Sequence, residues 1–148
     1  MLIDRRDGYR MKVLMEAARL QAADRLSRDF ILAQQGAALA ALLNHARSTV
    51  PLWKDRIKCP EDIAGADAHE ILQDIPILSR EELQQDMPRF VSSALECAVD
   101  NATGGSSGMP LRFKVDRMRQ IAGEASHIWA NGMAGWQYGE RMAMLWGS

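Results

Sequence analysis

Apolar side chains recur every three to four positions through the first third of the chain, a spacing that predicts two amphipathic helices. The second helix is expected to end before Pro51, because proline lacks an amide hydrogen and clashes with the preceding turn. The nine methionines follow the helical spacing and are interpreted as core-filling side chains rather than as an adaptable apolar groove. The side chains predicted to face a core are Met11, Leu14, Met15, Ala18, Ala22 and Leu26 in the first helix, and Leu39, Leu42, Leu43, Ala46 and Val50 in the second.

Two capping-box patterns, each an Asp or Ser with a Glu three positions later, predict two short helices further along the chain. The helices are expected at about 68–74, after Asp67, and at about 80–86, after Ser79. A proline follows each helix and breaks the chain. Residues 1–90 are therefore predicted to form a mainly helical N-terminal region.

After residue 90 the apolar period changes to strict alternation, which is typical of half-buried strands. The alternating apolar positions are Leu95, Cys97 and Val99 in one strand and Leu111, Phe113 and Val115 in the next. A third segment, Met142–Trp146, is apolar on both faces, as in a strand that lies inside a covered sheet. Residues 91–148 are therefore predicted to contain a sheet, and the fold class is predicted to be α/β, or α+β for this piece in isolation.

The clearest helical period of the chain lies between the second and third predicted strands. Asp116 is expected to cap this helix, and Gly132 or Gly135 to end it. The side chains that it is predicted to bury are Met118, Ile121, Ala122, Ala125, Ile128, Trp129 and Gly132.

Composition and charge narrow the functional classes open to the 148-residue chain. Its formal net charge of −1 gives no bulk electrostatic indication of nucleic-acid binding. Cys59 and Cys97 form no CxxC pair and the three histidines are scattered, so no metal site is predicted. The longest uncharged run, Phe30 to Ala46, is too short and too polar for a membrane span. Because a signal-peptide pattern is also missing at the N-terminus, a cytoplasmic location is expected.

Charge is unevenly distributed along the chain. Residues 61–100 hold ten acidic and two basic residues, whereas residues 31–60 hold four basic residues and one acidic residue. The acidic stretch is interpreted as the solvated faces of short helices, with a docking surface for a basic partner as the alternative.

A loop rich in glycine and serine, Thr103 to Pro110, joins the first two predicted strands. Its glycines permit positive φ and let a ligand approach the backbone closely. Successive amide groups in such a loop form an anion-binding nest, to which Thr103, Ser106 and Ser107 add hydroxyl donors. The loop has neither the lysine of a Walker A motif nor the GxGxxG spacing. From composition alone, a hairpin loop without a function in a plain α+β domain is the open alternative.

In its context the loop resembles the phosphate-binding signature of the adenylate-forming enzymes. It is most similar to the branch that contains phenylacetate–CoA ligase and the related capsular-polysaccharide proteins. The resemblance is carried by an ordered set of segments across roughly residues 39–148. These segments are Val50–Trp53, Glu61–Ile63, Ile75–Ser79, Thr103–Pro110, Gly135–Arg141 and Leu145–Gly147.

The resemblance implies the N-terminal part of an ATP-dependent carboxylic acid ligase, which forms an acyl-adenylate and passes the acyl group to coenzyme A. Residues 91–148 would then begin the nucleotide-binding subdomain of the large adenylate-forming domain, with a small carboxylic acid as the second substrate. The resemblance assigns no catalytic residue and no metal ligand to this chain. It implies that Mg-bound ATP is held through its β- and γ-phosphates by Thr103, Gly104, Gly105, Ser106, Ser107 and Gly108.

Two positions depart from the family pattern: Leu111 stands where many members have lysine, and Glu140 stands where aspartate is usual. The family's metal-binding acid and catalytic lysine would follow residue 148, so this chain alone is expected to be incomplete and inactive. Its last predicted strand, Met142–Trp146, would then have an open edge that favours self-association or a partner. A non-catalytic remnant or interaction module of the same family is the alternative function.

Overall fold

The computed structural model describes residues 5–59, 62–95, 98–103 and 110–143. In chain order the elements are α1 (Arg5–Ala23), α2 (Arg28–Thr49), α3 (Pro51–Arg56), α4 (Ala68–Asp74), α5 (Arg80–Gln85), a 3₁₀ helix (Met87–Phe90), β1 (Val99–Ala102), β2 (Arg112–Val115) and α6 (Arg117–Met133). The described residues are thus mostly helical with one small antiparallel sheet of two strands. This architecture agrees with the α+β class predicted for the piece in isolation.

The chain divides into two compact units. The first unit joins α1 with the part of α6 that begins at Met118 and with the segment after it. The second unit comprises residues 26–117, which contain α2 to α5, the 3₁₀ helix and the sheet. The predicted boundary at residue 90 divides a mainly helical region from one that contains strands, whereas the two compact units are defined by their internal contacts. The predicted boundary stays a prediction.

The core of the first unit forms between α1 and α6. Its buried side chains are Val13, Ala17, Ile121 and Ala125, none of them more than 3% exposed, and Tyr9, Leu20 and Ile128 pack against them. The two alanines let the helices approach closely. Two hydrogen bonds add to the packing: the Tyr9 hydroxyl donates to Glu124 Oε1 (2.7 Å), and Trp129 Nε1 donates to Asp24 Oδ2 (3.0 Å).

The methionines of α1 and α6 do not fill this core, so the prediction of their burial is wrong. Met11, Met15 and Met118 are 59%, 66% and 67% exposed. Apolar side chains occupy more than one face of α1. The face that packs on α6 is the one that carries Val13 and Ala17. The same correction applies to Leu26 of the first predicted face and to Leu42 of the second, which are both exposed.

Helix α6 ends at Met133, and the residue that stops it is Gly135 rather than Gly132, which lies inside the helix. Gly135 has φ of +90°, and its amide donates to the Gly132 carbonyl at 3.0 Å. The Trp136 amide donates to the Asn131 carbonyl at 3.2 Å. These two bonds form a Schellman motif, in which glycine avoids the strain that a side chain adds at positive φ.

The core of the second unit forms where α2 meets α3, α4 and the connection between them. Its buried members are Ala40, Leu43, Ile57, Ile63 and Ala68. The Asn44 amide fixes the connection to α2, since it donates to the Ile63 carbonyl (3.1 Å) and accepts from the Ile63 amide (3.0 Å). Backbones also touch here: a Cβ added to Gly36 would lie 2.6 Å from the Gly65 carbonyl oxygen.

The short helices follow their predicted bounds closely. Helix α4 spans the predicted residues, although the Asp67 side chain makes no capping hydrogen bond because its backbone is helical (φ −95°, ψ −12°) rather than extended. Ser79 does cap α5, accepting from the Glu82 amide at 3.1 Å, and α5 ends at Gln85. Pro51 both follows the end of α2 and opens α3, where its missing amide hydrogen costs no helical bond.

Candidate functional site

The glycine-rich loop joins the two strands of an antiparallel hairpin in the second unit. Strands β1 and β2 pair with Val99 opposite Val115 and Ala102 opposite Arg112. The prediction that the first strand includes Leu95 is wrong, and Cys97 lies outside the described residues. Instead, the Leu95 amide donates to the Ser92 carbonyl (3.3 Å) in a turn. Strand β1 begins only at Val99, because it extends no further than its four-residue partner β2.

Two reciprocal hydrogen bonds close the hairpin at the neck of the loop. The Thr103 amide donates to the Leu111 carbonyl at 2.9 Å, and the Leu111 amide donates to Thr103 Oγ1 at 3.0 Å. The Thr103 hydroxyl accepts this bond and keeps its own hydrogen to donate. The neck therefore fixes both ends of the loop and leaves one hydroxyl donor at its entrance.

Thr103 is the one predicted site residue that falls within the described part of the chain. The structure places it at the end of β1, half-buried in the neck of the hairpin. Gly104, Gly105, Ser106, Ser107 and Gly108 lie outside the described residues. Their assignment to a phosphate site stays a prediction.

Arg112 is a candidate residue that sequence reasoning missed. It opens β2 directly after the neck and is exposed. Its backbone pairs with β1, whereas its side chain makes no hydrogen bond or ion pair with any other described residue. With Gln84, Met87, Pro110 and Leu111 it lines a cleft of 220 Å³ beside the foot of the loop. The signal was available in the sequence, because Arg112 is the first cation after the loop.

Lys114 pairs with a carboxylate across the hairpin. Its Nζ lies 2.8 Å from Asp100 Oδ1, and the two residues are register partners. The hydrogen bond from Lys114, followed by its charge and then that of Arg112, lowers the pKa of Asp100. Lys114 is thus engaged within the sheet, whereas Arg112 remains available to a ligand.

We expect Asp100 to titrate below its ordinary pKa of 3.8, because Lys114 stabilises the carboxylate form. A lowered pKa in the folded state means that the stabilisation is present above the unfolded pKa. It is lost as the pH falls through the folded value. A Lys114→Gln variant should raise the pKa of Asp100 towards 3.8 in an NMR titration of the side-chain carboxyl carbon. An unchanged pKa in that variant would contradict the pairing.

The segment Gly135–Arg141, which belongs to the family resemblance, forms a hydrogen-bonded turn in the first unit. Glu140 Oε2 accepts from the Gln137 amide at 2.8 Å, and Trp136 Nε1 donates to the Glu140 carbonyl at 3.3 Å. Arg10 Nε of α1 donates to the Tyr138 hydroxyl at 2.7 Å. Glu140 therefore stabilises the turn.

The described part of the third predicted strand, Met142–Trp146, does not form a strand. Met142 and Ala143 belong to no strand, and Met142 is 42% exposed. Met144 to Trp146 lie outside the described residues. The proposed self-association at this edge stays a prediction.

Part of the acidic stretch pairs with cations of the same unit. Among the described residues these pairs are Asp62 with Arg47, Glu82 with Arg56, Asp86 with Arg89, and Asp100 with Lys114. Most of these partners lie outside the stretch, in α2, α3 and β2. Three of these acidic residues therefore pair with other elements of the unit, whereas Asp86 and Arg89 lie only three positions apart at 4.0 Å.

Comparison with known proteins gives no assignment. No protein-family model, curated protein or solved structure matches the chain. Within the described ranges, no three His, Cys, Asp or Glu side chains group closely enough to hold a metal ion. None of the helices in that part of the chain is long and apolar enough to cross a membrane. Functional inference thus depends on the hairpin and on the residues around its loop.

Proposed function

We propose that this chain is the N-terminal part of an ATP-dependent, adenylate-forming carboxylic acid ligase of the phenylacetate–CoA ligase type. In this proposal the hairpin loop binds the phosphates of ATP. The observation that supports it best is the neck formed by Thr103 and Leu111, which closes a glycine-rich loop beside Arg112, whose side chain has no partner among the described residues. The order of the resembling segments along the sequence supports the same assignment.

The loop would recognise phosphate through backbone amides rather than through a lysine. Glycines at 104, 105 and 108 leave the amides free of Cβ atoms, so that phosphate oxygens can approach them. The Thr103 hydroxyl would donate one further hydrogen bond at the entrance. Arg112 would supply the positive charge, and its guanidinium can donate two parallel hydrogen bonds to one phosphate group.

The first reaction implied by this family forms one bond to the α-phosphorus of ATP and breaks another. A carboxylate oxygen of the acid bonds to the α-phosphorus of ATP, and the bond from that phosphorus to the bridging oxygen of pyrophosphate breaks. Residues that hold the β- and γ-phosphates stabilise the charge that builds up on the leaving pyrophosphate. Thr103, the loop amides and Arg112 would act there, and no step is assigned to a metal ion held by this chain.

Calorimetry with ATP and with pyrophosphate tests the phosphate site in the isolated chain. A phosphate nest alone can supply about −4 kcal/mol, which corresponds to a dissociation constant near 1 mM. Gly105→Val should abolish the binding at the loop, because a β-branched side chain blocks the approach to the backbone, and should leave any phosphate binding elsewhere in the chain unchanged. Arg112→Gln should weaken the binding at the loop about tenfold, the effect of losing one charge-assisted contact.

Lys114→Gln is the matched control, since it removes a cation from the same strand that already pairs with Asp100. Its affinity for ATP should stay within about twofold of the unaltered chain. If the Gly105→Val variant kept every phosphate site of the unaltered chain at the same affinity, the loop assignment would be contradicted. In that case the alternative of a non-catalytic interaction module would be favoured.

A further inference from the structure

A group of cationic side chains lies in the second unit between residues 47 and 58, well before the hairpin in the sequence. A cleft of 630 Å³ opens beside the C-terminal ends of α2 and α3. Its described lining residues are Arg47, Ser48, Lys54, Ile57, Lys58 and Cys59. Three of these six side chains are cationic and none is a carboxylate. Because like charges repel, such a grouping lowers its energy when an anion binds between the cations.

Arg47 is the fixed member of this group. Its side chain is only 20% exposed, and its guanidinium donates to the Cys59 carbonyl and lies 3.3 Å from Asp62 Oδ1. The Asp62 side chain is 95% exposed, so water screens much of its charge. The Arg47 guanidinium is therefore fixed in the wall of the cleft, and Asp62 neutralises part of its charge.

Lys54 and Lys58 supply the charge that the described residues leave uncompensated. Both side chains are exposed, and neither makes an ion pair with another described residue. The neighbouring charges on α3 are already engaged, because Asp55 pairs with Arg89 and Arg56 pairs with Glu82. Two ammonium groups and a guanidinium thus face one cleft whose volume lies within the range of small-molecule sites.

We propose that this cleft binds the phosphate group of a small organic molecule, such as a phosphomonoester or a diphosphate. A phosphomonoester carries close to two negative charges near neutral pH, whereas a carboxylate carries one. Lys54 and Lys58, with the partly neutralised Arg47 beside them, match the larger charge. Lysines act as mobile point charges on phosphate oxygens, and the arginine fork adds directional hydrogen bonds. This site is separate from the glycine-rich loop and does not depend on the proposed ligase function.

Cys59 provides a reporter inside the cleft, because it is a half-buried free thiol and one of the lining residues. In a Cys97→Ser background it is the sole thiol that can react. Its rate of exchange is measured with an anionic aromatic disulfide, 5,5′-dithiobis(2-nitrobenzoate), and with the neutral 4,4′-dithiodipyridine. The cations should attract the anionic reagent, so the ratio of anionic to neutral rates should fall at least threefold in the Lys54→Gln, Lys58→Gln double variant. Lys114→Gln, outside the cleft, should leave the ratio unchanged.

Pyrophosphate is the ligand probe in the same assay. Millimolar pyrophosphate should slow the reaction of Cys59 with the neutral reagent in the unaltered chain and in Gly105→Val, but not in the lysine double variant. Vesicles of phosphatidylserine should give no protection, since the proposal concerns a small molecule. An unchanged rate ratio in the double variant, or protection that disappears in Gly105→Val, would overturn the cleft assignment. Protection by vesicles alone would do the same.

Discussion

Replacing Gly36 by valine is expected to lower the free energy of unfolding by about 3 kcal/mol, the upper range for overpacking a tight contact. A Cβ at Gly36 would lie 2.6 Å from the carbonyl oxygen of Gly65, and that atom belongs to the backbone rather than to a flexible side chain. The loop that carries Gly65 must therefore move away from α2. Its movement would also disturb the bonds between Asn44 and Ile63. Urea denaturation followed by circular dichroism measures the change.

Ala38→Val is the matched control on the same helix. Ala38 is exposed, so its replacement should cost only the difference in helix propensity, about 0.6 kcal/mol. Gly36→Ala should already lose more stability than this control, because the clash arises at the Cβ itself. If Gly36→Val and Ala38→Val unfolded at the same urea concentration, the close contact between the two glycines would be wrong.

Removing the Glu82 carboxylate is expected to cost about 2 kcal/mol, less than the 3–5 kcal/mol of a fully buried pair. Glu82 pairs with Arg56, whose side chain is 19% exposed and whose Nη1 is buried without a hydrogen-bond partner among the described residues. Glu82→Gln would leave this guanidinium, which also lies 5.9 Å from the ring centre of Trp53, without its counter-charge. The change is measured by chemical denaturation near neutral pH.

The pair between Arg89 and Asp55 is the control for this experiment. Its side chains are 44% and 67% exposed at an N–O distance of 2.6 Å, so Asp55→Asn should cost less than about 1 kcal/mol. Replacing both Arg56 and Glu82 by methionine should recover much of the loss, since the buried charge is then removed. Equal losses for Glu82→Gln and Asp55→Asn would contradict the difference in burial on which the prediction depends.

Local signals predicted the ends of several elements correctly. Ser79 caps α5 through its own side chain, Pro51 separates α2 from α3, and Gly135 ends α6 at positive φ. Each of these outcomes depends on residues within one or two helical turns, so the sequence contains the whole cause. Asp67 is an instructive exception, because it precedes α4 as predicted without making the capping bond.

The buried faces of the helices were harder to predict, because they depend on distant partners. Met11 and Met15 have the spacing of a core face, yet α1 buries Val13 and Ala17 against Ile121 of α6. More than one hundred positions separate these contacts, and no pattern within α1 selects between its apolar faces. The early start predicted for β1 failed for a similar reason, since a strand is only as long as its hydrogen-bonded partner.

The candidate site was predicted in part. The position of Thr103 at the start of the loop followed from the residue pattern, and its hydrogen bonds with Leu111 add the closed neck. The proposed contribution of Arg112 depends on the structure, which pairs Lys114 with Asp100 and gives the Arg112 side chain no partner among the described residues. Charge partners across a hairpin depend on its register, which the sequence alone did not determine.

The central claim, that the glycine-rich loop binds phosphate, is tested most directly by NMR of the ¹⁵N-labelled chain during addition of pyrophosphate. The amide signals of residues 104–109 are expected to shift the most, because their hydrogens would contact the phosphate oxygens. In Gly105→Val these shifts should disappear, whereas any shifts at Lys58 and Cys59 in the separate cleft should persist. Saturable shifts centred on residues 104–109 would agree with the account, and the absence of shifts there at 10 mM pyrophosphate, about ten times the expected dissociation constant, would contradict it.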